Sequence, residues 1–200
     1  MSETKTKKTG RKKKRILRRA LIDAKRIMER YPDFTMSVNL SYTQLERPDF
    51  VDRVLQTLDE EDFPPEHLCL EITERCRLLD LDLLKNIIVN LRGKGIRIAL
   101  DDFGTGFSSV GLVKNLPFDT IKIDRSFVLR IEEDEKERDL MENFTGMAST
   151  YGAKVCVEGV ETAGMRNILL QYRVQSLQGY YYAKPLAIDD FMTWKPQFTE

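Results

Sequence analysis

Six short apolar runs, each ending at or near an oxygen-bearing side chain, set the strongest limit on how this chain folds. The runs are TMSVN (35–39), LCLEI (68–72), IRIAL (96–100), TIKID (120–124), AKVCVE (153–158) and VQSLQ (174–178). Their polar ends are Asn39, Glu71, Asp101, Asp124, Glu158 and Gln178, spaced by 32, 30, 23, 34 and 20 residues, about one strand–helix unit each. Amphipathic stretches fill the intervals near 49–59, 80–92, 107–115, 134–151 and 162–172, and another runs from Arg15 to Tyr31 before Pro32. Strands alternating with helices predict an α/β fold with a parallel sheet. An open doubly wound sheet gathers its site at one switch point, and its dinucleotide-binding form carries GxGxxG after the first strand, which is absent here. A closed barrel instead draws one residue from the end of many strands. The six polar ends therefore predict a (β/α)8 TIM-like barrel. Because such a barrel takes roughly 250 residues, about six strand–helix units are expected here, with the shortfall at the N-terminus.

Charge divides the chain unevenly. The formal net charge is zero, yet residues 1–19 hold ten Lys/Arg and a single acid, Glu3. The remainder is correspondingly acidic. Residues 1–14 read as a basic flexible tail, 15–194 as the barrel domain and 195–200 as a C-terminal tail. A basic tail without interleaved aromatics is a weak signal for nucleic acid or an anionic membrane surface. No stretch reaches the roughly 18 apolar residues of a membrane span. Three cysteines, Cys69, Cys76 and Cys156, form no CxxC pattern. Cys69 and Cys156 sit in strand-like runs, which predicts reduced core thiols and a cytoplasmic protein.

The expected barrel mouth is rich in oxygen: Asn39, Glu71, Asp101, Asp102, Asp124, Glu158 and Glu161. Carboxylates and an amide, with His67 the only histidine, suit a hard divalent cation such as Mg2+, Mn2+ or Ca2+ rather than zinc. An isolated Asp pair serves equally well as a strand-end and turn cap. Matching acids on neighbouring strands favour metal. Lys122, two residues before Asp124, shares its strand face and is placed to neutralise a phosphate oxygen or hold an attacking water. A structural Lys–Asp pair and a Schiff-base lysine are the alternatives at that position. Glu158 and Glu161 flank Gly159 in a tight loop, where one can act as general base. Two acids alone also describe a glycosidase, but Trp194 is the only tryptophan and lies near the C-terminus. Metal-assisted phosphodiester hydrolysis fits the acid surplus better.

The motifs SVNLSYTQL (37–45), LEITE (70–74), LDDFGTGFSS (100–109), IKIDRSF (121–127), VEGVET (157–162) and QGYYYAKPL (178–186) resemble, in order and spacing, those of the EAL domain. These are barrel phosphodiesterases of bacterial cyclic di-GMP signalling. The resemblance covers about residues 15–192. It implies that Asn39, Glu71, Asp101 and Asp102 are metal ligands, and that Lys122 and Glu158 bind and activate water with support from Asp124. It further implies that Glu74 steadies the loop after Asp102, and that Glu161 and Gln178 complete the site and contact nucleotide. The implied reaction opens one phosphodiester of cyclic di-GMP with Mg2+ or Mn2+, and the implied assembly is a homodimer through the loop and helix after Asp102.

One feature departs from the family pattern. The Glu-Ala-Leu strand for which the family is named, with its metal-binding Glu and nearby substrate-binding Arg, has no counterpart before Asn39. A barrel short of two strands is expected to expose sheet edges and part of its apolar interior. Two functions follow as expectations: a metal-dependent phosphodiesterase, or a catalytically impaired module that binds cyclic di-GMP or a protein partner.

Overall fold

The computed structural model describes residues 3–74, 76, 79–105 and 109–195, with the backbone alone for 3–15 and 109. Six strands form one wholly parallel sheet in sequential order: β1 (Met36–Leu40), β2 (Leu68–Thr73), β3 (Arg97–Phe103), β4 (Thr120–Ile123), β5 (Lys154–Val157) and β6 (Ser176–Leu177). A sequential order has no switch point. Right-handed crossovers then place every connecting helix on one side of the sheet, as in a barrel rather than a doubly wound fold.

The helices are α1 (Glu3–Met28), α2 (Tyr42–Leu45), α3 (Phe50–Glu60), α4 (Leu81–Gly93), α5 (Ser109–Asn115), α6 (Glu135–Thr150), α7 (Ala163–Leu169) and α8 (Ile188–Thr193). Their starts are written locally. Asp80 accepts from Leu83 N–H, Asp134 from Lys136 N–H and Thr162 from Met165 N–H, so α4, α6 and α7 each begin on a side-chain cap. Several boundaries differ from the sequence expectation. Helical backbone extends back to Glu3, through the stretch expected to be a flexible tail. The sixth strand shrinks from five residues to two. Of the expected C-terminal tail, residues 196–200 lie outside the described residues, as do 107 and 108 of the helix expected over 107–115.

The core lies between sheet and helices. Leu70, Ile72, Ile98, Leu100, Ile121, Ile123, Val155 and Val157 point outward and pack against Leu21, Leu58, Leu84, Ile88, Leu91, Met141 and Leu169. Alternation sends the intervening residues to the other, concave face. There the sequence expectation of an exposed apolar interior is corrected. The concave face carries Ser37, Asn39, Cys69, Glu71, Ala99, Thr120, Lys122, Cys156 and Ser176, all small or polar. On β1 the alternation is direct: Val38 and Leu40 are buried while Ser37 and Asn39 are exposed. An open sheet therefore leaves little apolar surface uncovered, and the hazard of the open fold is confined to its edges.

The three thiols are free and buried. Burial, reinforced by the charge on Glu71, pushes Cys69 up to about 11. Burial likewise takes Cys76 to about 12 and raises Cys156. Because only the thiolate reacts readily, native protein at pH 8 is expected to leave Ellman's reagent almost unreacted over minutes. Denaturant should release all three thiols at once. Rapid native labelling would show that the strands open locally.

Candidate metal centre at the barrel mouth

Strand register explains why two adjacent aspartates share one face. On β3, Leu100 pairs with Ile121 and Phe103 with Ile123, so Asp101 and Asp102 together stand opposite Lys122 alone. This is a β-bulge, which re-aims side chains beside many active sites. Asp102 takes the left-handed conformation, φ 56°, tolerated by Asp better than by most side chains. The following turn is closed by Thr105, whose Oγ1 donates to Asp102 O at 2.9 Å. As a result, carboxylate oxygens of Asp101, Asp102 and Glu158 all lie within 4.8 Å of one another.

Lys122 is the hub. Its Nζ lies 2.9 Å from Glu71 Oε2, 2.9 Å from Asp101 Oδ1 and 2.8 Å from Glu158 Oε1. Burial opposes its charge, but bonds to Glu158, Glu71 and Asp101 outweigh that, so its pKa lies above the ordinary lysine value. Burial raises the Glu158 carboxyl, Lys122 pulls it back, and Asp101 and Glu71 push it up again, leaving it above the usual carboxylate range. The Lys122–Glu71 contact is an aligned hydrogen bond. The approach to Asp101 Oδ1 is close enough for an ion pair but lacks that alignment. Glu71, Asp101 and Glu158 share this one ammonium, with Asp102 close by, an excess of negative charge where a further cation fits. The all-oxygen donor set matches a hard divalent ion.

Five predicted residues thus come together: Glu71, Asp101, Asp102, Lys122 and Glu158. Asn39 stands beside Glu71 in register on edge strand β1, and is exposed. The others lie at the same end of the sheet but outside this cluster of bonds. Asp124 accepts Ser126 N–H at 3.0 Å and caps the 3-10 turn Arg125–Phe127. Glu161 is exposed, its backbone N–H directed at Met165 Sδ. Gln178 is exposed, and its backbone bonds Val157 and Val160. Glu74 is buried at the end of β2. Residues 106–108 of the loop it was expected to steady lie outside the described residues. Sequence reasoning missed the bulge itself, for which the Asp-Phe-Gly after Asp101 was the available signal.

A sequential parallel α/β sheet with acids gathered at its strand ends defines a barrel-type domain with an acidic mouth. Residues 7–185 match the EAL domain family. The chain belongs to that family. The EAL domain of Mycobacterium smegmatis DcpA is 32% identical, with a TM-score of 0.85 over 89% of this chain and 81% of that one. The MucR phosphodiesterase in complex with cyclic di-GMP is 30% identical, with a TM-score of 0.85 over 94% of this chain and 76% of that one. By sequence, Pseudomonas aeruginosa MucR, a bifunctional diguanylate cyclase/cyclic di-GMP phosphodiesterase, is 33% identical over 81% of this chain and 24% of its own length. The chain spans between a fifth and a quarter of the length of the curated relatives it matches. Among the described residues, no helix is long and apolar enough to cross a membrane.

Proposed function

We propose that this chain opens one phosphodiester bond of cyclic di-GMP to a linear dinucleotide, using Mg2+ or Mn2+, as a bacterial second-messenger hydrolase. The convergence of Asp101, Asp102 and Glu158 oxygens around Lys122 carries the reading. Asn39, Glu71, Asp101 and Asp102 would hold the cation, which when bound polarises the phosphate and supplies hydroxide at neutral pH. Glu158 would take a proton from the attacking water, a role suited to a carboxyl raised by burial. Lys122 would offset negative charge that builds on the phosphate oxygens. Glu161 and Gln178, exposed at the same rim, would contact the nucleotide, and Asp124 would hold the turn beside them.

The test is hydrolysis of cyclic di-GMP by the purified chain with Mn2+, products separated by chromatography. Linear product is expected. Asp101→Ala should lower the rate roughly a hundredfold, the order lost when one preorganised electrostatic contact is removed. A second reading is favoured by one observation: Asn39, the ligand expected from β1, is exposed on the edge strand and outside the bonded cluster. On that reading the chain binds cyclic di-GMP without turning it over. Equilibrium dialysis showing retention of intact nucleotide, with no product from folded protein, would select it.

A further inference from the structure

The bulge at Asp101 and Asp102 is strained, and pairing holds it on one side only: Asp101 pairs with Thr73 on β2, while toward β4 the register breaks between Leu100 and Phe103. A left-handed Asp relaxes unless its surroundings over-determine it. The Thr105 turn fixes one side. On the other side stand three aromatic rings. Phe103, immediately after Asp102, is 1% exposed. Phe127 lies close against Gly104: a Cβ added there would fall 2.5 Å from Phe127 Cε2 and 2.6 Å from Cζ. Phe144, on α6, meets both. Its ring is 5.1 Å from that of Phe103 at 88° and 5.2 Å from that of Phe127 at 82°. Edge-to-face pairs favour particular geometries in a way that aliphatic contacts do not. One ring thus ties the residue after Asp102 to the turn after β4.

We propose that Phe144 is a positioning residue for divalent-metal binding. By holding Phe103 and Phe127 edge-on, it fixes the left-handed bulge that turns Asp101 and Asp102 together toward Glu158. The helix carrying it contributes no oxygen to the acidic cluster, so it acts only through these rings. The inference rests on the metal reading above.

The experiment measures Mn2+ affinity of the full chain by the electron paramagnetic resonance signal of free Mn2+, at a temperature where every variant is folded. Phe144→Ala is expected to bind Mn2+ about tenfold more weakly, the loss typical when groups orienting metal ligands are removed. Met141→Ala is the control: the residue is 1% exposed on the same helix and has no ring contact with the bulge. It should bind within about twofold of wild type at a similar loss of melting temperature. Phe144→Leu, which keeps apolar bulk but not the edge-on pairs, decides the matter if the alanine variant fails to fold. It should bind about threefold or more weakly. Wild-type affinity in the folded Phe144 variants would overturn the positioning role while Asp101→Ala, binding poorly, upholds the metal site. Equal loss in Met141→Ala would also overturn it, as general loosening. A wild-type chain that binds no Mn2+ overturns both readings.

Discussion

Lys122→Met is expected to lower the unfolding free energy by about 3–5 kcal/mol when divalent metal is chelated, the scale for breaking a buried ion pair from one side. The substitution keeps the aliphatic stem and removes only the charge. Glu71, Asp101 and Glu158, whose side chains are 7%, 11% and 20% exposed, then face one another without a cation. Like charges held that close repel one another. Glu158 already sits above the usual carboxylate range through burial, despite the opposing pull of Lys122, and removing Lys122 raises it further. The sign follows. A folded-state carboxyl pKa above the unfolded one makes the variant relatively most stable at low pH and weaker as pH rises through the folded value. Denaturant titration in EDTA should therefore show the deficit growing from pH 5 to pH 8. Adding Mn2+ should restore most of it, because the metal supplies the missing positive charge. A variant as stable as wild type in EDTA at pH 8 would mean that the carboxylates are solvated, not held by Lys122.

The same cluster shows what the sequence makes readable. Parallel strands covered by helices are short apolar runs, and all six were found from residues such as Leu68–Ile72 and Ile96–Leu100. Side-chain alternation placed Lys122 and Glu71 at the mouth. Alternation also fails where the backbone departs from it. It would send Asp102 to the face opposite Asp101, and only the bulge and φ 56° put both on one side. Hydrophobic alternation carries no sign of such a register break, and only the Asp-Phe-Gly after Asp101 hints at it. The polar concave face was missed for a related reason. Cys69, Ala99 and Cys156 count as apolar in a hydropathy reading, yet they are small and share the concave face with Ser37, Thr120 and Ser176. The short α8 escaped because tertiary contacts define it: Phe191 packs against Tyr31 and Phe34 at ring separations of 6.3 Å, and Asp189 meets Arg26 at 2.8 Å. These partners lie more than 150 residues away in sequence.

Gly159→Ala is expected to cost roughly 3 kcal/mol and to reduce cyclic di-GMP hydrolysis by about tenfold or more, more than any stability loss explains. Gly159 has φ 75°, a conformation that costs an L-residue about 1–2 kcal/mol. Its added Cβ would fall 2.2 Å from Arg125 Cβ and 3.1 Å from Arg125 Cα. Those atoms belong to the turn that Asp124 caps, so relief requires backbone movement, and overpacking of that kind costs about 1–3 kcal/mol. Movement of residue 159 carries Glu158 with it and lengthens the 2.8 Å bond to Lys122. A misplacement near 1 Å in a reacting group is enough for a large loss of rate. Gly152→Ala separates the two contributions. Gly152 has φ 72° and no atom within 4 Å of an added Cβ, so it bears the backbone cost alone. It should destabilise by about 1–2 kcal/mol and hydrolyse cyclic di-GMP at the wild-type rate when assayed well below its melting temperature. Parallel denaturation curves and rates for the two variants would show whether the close approach of Arg125 to Gly159 aims Glu158. Equal rates in both would assign Gly159 to chain reversal only.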